Sequence, residues 1–376
     1  MRSRVFALLT VALLGCSSST SSNQPSGTDA GDFDAGADAP VAAETGFADE
    51  DGTAPMDGAD ANNRPLPQWT AFGSRGSDSR WGAPLAFVAP QSRFIGFAGS
   101  SAAGTTGGTF ALSMADGSWS KLNDVNPPPA RYCGCTTYLP AQNQVLLIGG
   151  RDDNGPLAPA AWTLDVATST WTAVGGSVPG GVIGCAAAYV TSLGHAFVFG
   201  GGFSSFLSET WSYDPTQRAF TKLSLSAAPP PRADAIAAYD PAGGGGRMLL
   251  FAGTADEVTS ANHFNDLWAF DGTAWTELHP TGGPPPPRRV AAGGFDAAHR
   301  TWLVFGGTIE TQDLGDVWLL DVANLTWTNL PNFGAPPARG FASSGFDPSS
   351  NSYVIVGGLQ QPSSVTLTDG WKMQIP

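Results

Sequence analysis

Arginine, carboxylate, histidine and cysteine are the side chains best suited to chemistry here, and some of them fall at regular spacings. Arg80, Arg131, Arg232, Arg288 and Arg339 each stand seven residues ahead of an aromatic residue. A guanidinium grips an anion through a planar fork, so five at one phase could line a shared opening. They could equally bond carbonyls of a neighbouring unit, and repetition favours that structural task. A second group follows no column: Arg151, Asp152, Asp153, Phe203, Phe206, Glu257, Asn262, His263, Glu310 and Gln312. Carboxylate, amide and aromatic groups mixed in this way suit recognition of a sugar or a peptide, and variable segments are where such sites sit.

The elements that must position these groups are repeats. The strings GFAG, LIGG, VFGG, LFAG, VFGG and IVGG end at Gly99, Gly150, Gly201, Gly253, Gly307 and Gly358, spaced by 51, 51, 52, 54 and 51 residues. An aromatic stands twelve residues earlier: Phe87, Tyr138, Tyr189, Phe295 and Phe346, with Tyr239 displaced by the extra glycines of PAGGGG. Only Val182 breaks the arginine column. After the glycines come Phe110, Trp162, Trp211, Trp268, Trp318 and Trp371, and Asp165, Asp214, Asp271 and Asp321 follow their Trp by three. Trp119, Trp171, Phe220, Trp275 and Trp327 close the units.

Each unit therefore reads as four short strands, a to d, as in AAGGFD, TWLVFGG, DVWLLD and TWTNL. Forty-eight glycines, 30 prolines and only 13% charged residues agree with short strands joined by tight turns. One such unit cannot bury both faces alone, so radial stacking is the stable arrangement. Glycine at the end of strand b allows close backbone approach or positive φ.

A period near 50 with a doubled glycine and two spaced aromatics resembles the kelch repeat; a WD40 repeat is shorter, at about 40–45 residues. The resemblance covers residues 65–376 and implies an all-β, six-bladed kelch-type β-propeller, expected as a monomer. The sixth unit lacks strand d. PQWTAF, near residue 69, supplies it, since Trp69 aligns with Trp119 and Trp327. Without that strand the last sheet would keep an open edge. In this arrangement the b–c loops share one face, and the unmatched residues of the second group lie on them.

Residues 1–15 read as a signal peptide. Arg2 and Arg4 precede an uncharged run, Val5 to Leu14, too short to span a bilayer. LLGC, ending at Cys16, resembles the lipobox of bacterial lipoproteins, which implies a lipidated Cys16. Several acyl chains give stable anchoring where one gives marginal binding. Ser17 favours the outer over the inner membrane by analogy with lipoprotein sorting. Residues 16–64 are Ser, Gly, Ala and Asp with few large apolar groups, and are expected to form a disordered tether. The chain carries a net charge of −14, which offers no footprint for nucleic acid. Membrane contact is expected through the lipid anchor only.

Cys133, Cys135 and Cys185 fall on the innermost strands of adjacent blades. Alternation places the first two on one face of their blade and Cys185 on the opposite face of its own. In an exported protein this fits a disulfide from Cys185 to either Cys133 or Cys135, or buried free thiols. No His stands near the C-x-C pair, and neither a metal nor a cofactor is expected.

Some propellers of this kind are enzymes. Galactose oxidase holds copper with His and Tyr, and no matching ligand set is present. N-acetylneuraminate epimerases would need an acid–base carboxylate and an Arg, types that Glu257, Glu310 and the arginine column contain without a confirming motif. The repeated sialidase signature is absent. The expected function is a non-catalytic envelope scaffold that binds a protein or glycan partner on the b–c loops. A carbohydrate-active enzyme, such as a sugar-acid epimerase, and a purely structural envelope component are the alternatives.

Overall fold

The computed structural model describes residues 67–375, apart from 77, 159, 181, 242–244, 257–261 and 332–333. The signal peptide, Cys16, the tether and Glu257 lie outside the described residues. Six antiparallel sheets stand around a central axis, five of four strands and one, in blade 2, that adds the short strand Gly155–Pro156 to its four. Strands a to d are Leu85–Val88, Arg93–Phe97, Thr109–Ser113 and Trp119–Lys121 in blade 1. Blade 2 has Tyr132–Leu139, Gln144–Asp152, Ala161–Asp165 and Thr170–Ala173. Blade 3 has Ala186–Val190, His195–Phe199, Thr210–Asp214 and Ala219–Lys222. Blade 4 has Ile236–Asp240, Arg247–Phe251, Leu267–Phe270 and Trp275–Leu278. Blade 5 has Ala292–Asp296, Thr301–Phe305, Val317–Asp321 and Thr326–Leu330.

Blade 6 takes Ser343–Asp347, Ser352–Val356 and Asp369–Gln374 from the end of the chain and Gln68–Ser74 from its beginning. Trp69 stands opposite Met373 and Ala71 opposite Trp371, so the ring is closed by pairing the two ends. Strand a of blade 1 also meets strand a of blade 6, which completes the inner wall.

The glycine column is set by backbone geometry. Gly99, Gly150, Gly201, Gly253, Gly307 and Gly358 all have φ between 81° and 114°. At Gly253 and Gly307 a Cβ would stand 2.7 Å from the carbonyl oxygens of Ala233 and Arg289. Neither the torsion nor the space admits a side chain. The glycine N–H crosses to the next blade: Gly99 donates to Arg131 O, Gly201 to Arg232 O and Gly253 to Arg288 O, at 2.8–2.9 Å. The Asp column caps the c–d turns. Asp165 accepts from the N–H groups of Ala167 and Thr168, and Asp321 from those of Ala323 and Asn324, each at 2.8–3.0 Å.

The closing aromatics join the blades. Trp171 packs on Phe97 of the preceding blade, Trp275 on Phe199, Trp327 on Phe251 and Trp69 on Phe305. Their indole N–H groups are treated unequally. Trp171 donates to Thr109 and Trp275 to Thr210, both at 2.9 Å. The same position of the preceding blade is Leu267 for Trp327 and Val317 for Trp69, and those two indole nitrogens are buried without an acceptor among the described residues. A Thr therefore stands where an indole needs it at two of the joints. Thr109→Val should put Trp171 in the state of Trp327 and cost about 1–2 kcal/mol. Denaturant unfolding reads the loss, and the Trp171 indole proton should shift in an NMR spectrum while that of Trp327 stays in place.

Candidate functional site

The b–c loops stand on one face, and each blade extends strands a and b into them. The residue after the arginine column pairs with the residue after the glycine column: Trp81 with Ser100, Tyr132 with Arg151, Ile183 with Gly202, Ala233 with Thr254, Arg289 with Thr308 and Gly340 with Leu359. Short hairpins continue outward, Ser100–Thr105 in blade 1, Thr308–Asp313 in blade 5 and Leu359–Thr366 in blade 6. A second tier thus rests on the blades.

One residue further inward, Gly82, Cys133, Gly184, Asp234, Val290 and Phe341 form a ring around the axis. All six have positive φ, between 48° and 67°. The N–H of each donates to the carbonyl of its counterpart in the preceding blade, from Cys133 to Gly82 at 2.8 Å round to Gly82 to Phe341 at 3.2 Å. This closed belt of six hydrogen bonds explains why non-glycine residues, Val290 among them, hold a torsion costing about 1–3 kcal/mol. Above it Trp81 meets Tyr132 and Phe341 edge to face, with centroids 5.0 and 5.2 Å apart. On the other side of the mouth Arg289 pairs with Asp234 at 3.4 Å.

The axial cavity below the belt has a volume of about 230 Å³. Its wall is mostly Gly, Ala and Ser, and includes Cys135 and Cys185. Those two cysteines form a disulfide joining strand a of blade 2 to the start of strand a of blade 3. Of the two partners open to Cys185 in the sequence, the structure pairs it with Cys135. Among the described residues, Asp234 is the one carboxylate on this wall, and no cluster of three His, Cys, Asp or Glu is placed to hold a metal ion.

The arginine column does not line the mouth. Arg80 is 7% exposed, and Arg131, Arg232, Arg288 and Arg339 are at most 1% exposed. Each Nη1 donates to a carbonyl at the end of strand b of its own blade: Ala98, Gly149, Ala252, Gly306 and Gly357, at 2.8–3.1 Å. The side chains bind within a blade, while the bond to the neighbouring blade runs through the arginine backbone; this corrects the expectation of carbonyls in a neighbouring unit. A column missed in the sequence completes the arrangement. Two residues before the strand-c Trp stand Asp266, Asp316 and Asp369. Each takes Nη1 and Nη2 of Arg232, Arg288 or Arg339 at 2.5–2.8 Å, and the indole N–H of Trp268, Trp318 or Trp371 at 2.6–2.7 Å. Burial by itself would raise the Asp316 carboxyl. The Arg288 fork outweighs it and holds the group below the usual carboxylate range. In blade 3, where Val182 replaces the arginine, Glu209 at the same position takes Trp211 at 2.9 Å and Lys222 at 2.5 Å. The visible signal was D-x-W, and E-x-W in the blade without the Arg.

The unmatched loop residues divide by role. Arg151 is buried, sits over the rings of Tyr132 and Phe203 at 5.7 and 5.5 Å, and donates to Asp152 O. Asp152 caps its hairpin by accepting from the N–H groups of Asn154 and Gly155. Asp153 reaches to blade 1 and accepts from the Thr105 hydroxyl at 2.9 Å. His263 is buried and meets Thr254 Oγ1 through Nδ1 at 3.3 Å, and Phe206 is half-buried beside a bridge to Gly202. Asn262 is exposed and bonds Asp256. Glu310 and Gln312 are exposed at the tip of the blade 5 hairpin. The structure thus brings Arg151, Phe203 and Tyr132 together, with Trp81 next to Tyr132 and Phe341 next to Trp81, and leaves Glu310 and Gln312 apart from them. Trp81, Phe341, Asp234 and Arg289 were not singled out in the sequence.

A closed ring of six four-stranded blades, with glycine-ended b strands and aromatics at each joint, is a β-propeller of the kelch type. Residues 139–358 match the family model described as the KLHDC2/KLHL20/DRC7 Kelch-repeats domain, and the chain belongs to this kelch-repeat family. Among curated proteins it is similar to the flagellar outer-arm dynein alpha chain of Chlamydomonas reinhardtii, at 35% identity over 98 residues. That stretch is 25% of this chain and 2% of the dynein chain, so the similarity extends over about two repeat units.

Proposed function

We propose that this chain is a non-catalytic scaffold of the cell envelope, anchored through Cys16, that binds a protein partner on its b–c loop face. One observation carries the reading. Six dissimilar loops stand together on one face of a rigid ring, whereas the axial cavity offers about 230 Å³ and a single described carboxylate already paired with Arg289. Acid–base work on a sugar would call for two titratable groups converging on bound substrate. A broad face that carries exposed Glu310 and Gln312 and, apart from them, the half-buried Trp81, Phe203 and Phe206 suits a protein surface better. The lipobox-like LLGC at residues 13–16 supports the anchor.

The test is site-specific photo-crosslinking in the intact lipoprotein. A benzophenone amino acid at Gln312 on the loop face should give one discrete protein adduct. The same group at Leu193, 40% exposed in the a–b turn of the opposite face, should give none. Equal labelling from both faces, or none from Gln312, would sink the reading. Palmitate incorporation that disappears in Cys16→Ser checks the anchor separately.

A further inference from the structure

Blade 1 breaks the rule by which blades 4, 5 and 6 neutralise their buried arginine. Gly108 stands two residues before Phe110, where those blades have Asp266, Asp316 and Asp369. Arg80 keeps its place all the same. Its Nη1 donates to Ala98 O at 3.0 Å and Gly107 O at 3.3 Å, and its Nε to Asp78 at 2.8 Å. The Nη2 edge, which in blades 4 to 6 faces a carboxylate oxygen, has no acceptor among the described residues. A second cation lies beside it. The Arg75 guanidinium is 4.1 Å from the centroid of Trp119 and 5.2 Å from that of Phe110, the ring over which Arg80 sits at 4.0 Å. Arg75 Nε is buried with no hydrogen-bond partner among the described residues. Burial, and then the like charge of Arg80, push Arg75 down to about 10. Lys121 approaches from strand d, its Cε 3.1 Å from the place of a Gly108 Cβ. Among the described residues, Asp78 is the one acid bonded to this group of cations.

We propose that Arg75 and Arg80 form a receptor for one external carboxylate, supplied by an acidic side chain of the protein bound on the loop face. The site keeps the blade's arginine fork and aromatic wall and lacks the internal carboxylate that fills the fork in blades 4 to 6. Two guanidinium groups against one aspartate leave a net positive charge behind partly apolar walls, where a charge-assisted pair is strong. The partner's identity as a protein rests on the function proposed above; the carboxylate site itself does not.

The experiment therefore uses small probes and no partner. The full chain in detergent is melted in sodium acetate and in sodium chloride of equal ionic strength at pH 7. A saturable rise in melting temperature specific to acetate is expected, and Arg75→Gln should weaken the apparent affinity roughly tenfold or more. Arg75→Gln should melt like wild type in chloride, which separates lost binding from misfolding; Arg75→Lys, keeping the charge without the fork, serves if it does not. A blocked Gly-Asp-Gly peptide should compete better than glucuronate. No acetate-specific shift, or a shift unchanged in the Arg75 variants, would overturn the site, and preference for glucuronate would overturn the side-chain source. Acetate binding with no loop-face crosslink would leave the site standing and remove only the partner.

Discussion

Trp69→Ala is expected to cost about 3–5 kcal/mol, among the largest losses available to a single truncation here. Trp69 is 6% exposed, pairs across from Met373 and packs edge to face on Phe305 of blade 5 at 5.6 Å. It is thus the point where the strand from the start of the chain, the strand from its end and the neighbouring blade meet. A cavity there weakens one sheet and one blade-to-blade joint together. Trp69→Phe should cost distinctly less, because the Trp69 indole N–H has no acceptor to lose among the described residues. Trp171→Phe should exceed it by about 1 kcal/mol, because that indole is held by Thr109. Urea unfolding of the three variants checks the order. If Trp69→Ala unfolds within about 0.5 kcal/mol of wild type, as a surface substitution does, ring closure by this strand is wrong.

The fold was legible because every blade has the same needs. The glycine at the end of strand b is required by its torsion and by a carbonyl 2.7–3.1 Å from any Cβ at most of its six positions, so it repeats. The closing Trp repeats because each blade must pack on the one before it. Repetition also pointed to a structural role for the arginines, though not to the carbonyls of their own blade as partners. The site was less legible for the same physical reason. Asp234, Arg289, Trp81 and Phe341 meet at the axis from blades 4, 5, 1 and 6, and no short-range pattern links them. Arg151 and His263 were singled out as loop residues, yet both are buried, because the b strand continues outward through Arg151 and the Thr254–His263 bridge draws the histidine in. The D-x-W column stands in blades 4, 5 and 6 alone, with Gly108 and Ala160 in its place in blades 1 and 2, so it is a weaker repeat than the glycines. The exception at Gly108 is informative: a repeat identifies the structural need, and blade 1, which omits one part of it, leaves Arg80 without the carboxylate that blades 4 to 6 supply.

Removing the Cys135–Cys185 disulfide is expected to lower stability by about 2–4 kcal/mol. The bond spans 50 residues of sequence, and closing a loop of that size in the unfolded chain corresponds to about 4 kcal/mol of lost conformational freedom at 25 °C. Less than the whole is expected, because residual structure in the unfolded chain already restricts the loop; in the folded state, blades 2 and 3 hold each other by packing as well. Cys185 belongs to one apolar cluster with Cys135, Leu146, Ile148, Val198 and Trp211, and Tyr189 N–H donates to Thr137 across the same joint. The bond therefore acts mainly on the unfolded state and adds little to the packing of the folded one. Cys135→Ala/Cys185→Ala should unfold at lower urea, with the native circular dichroism spectrum retained before the transition. The urea dependence should steepen slightly, since an unfolded chain without the cross-link exposes more surface. Unchanged stability in the double variant would mean that the two inner strands are held by packing alone. A loss well beyond 4 kcal/mol would mean that the apolar joint between blades 2 and 3 does not form without the cross-link.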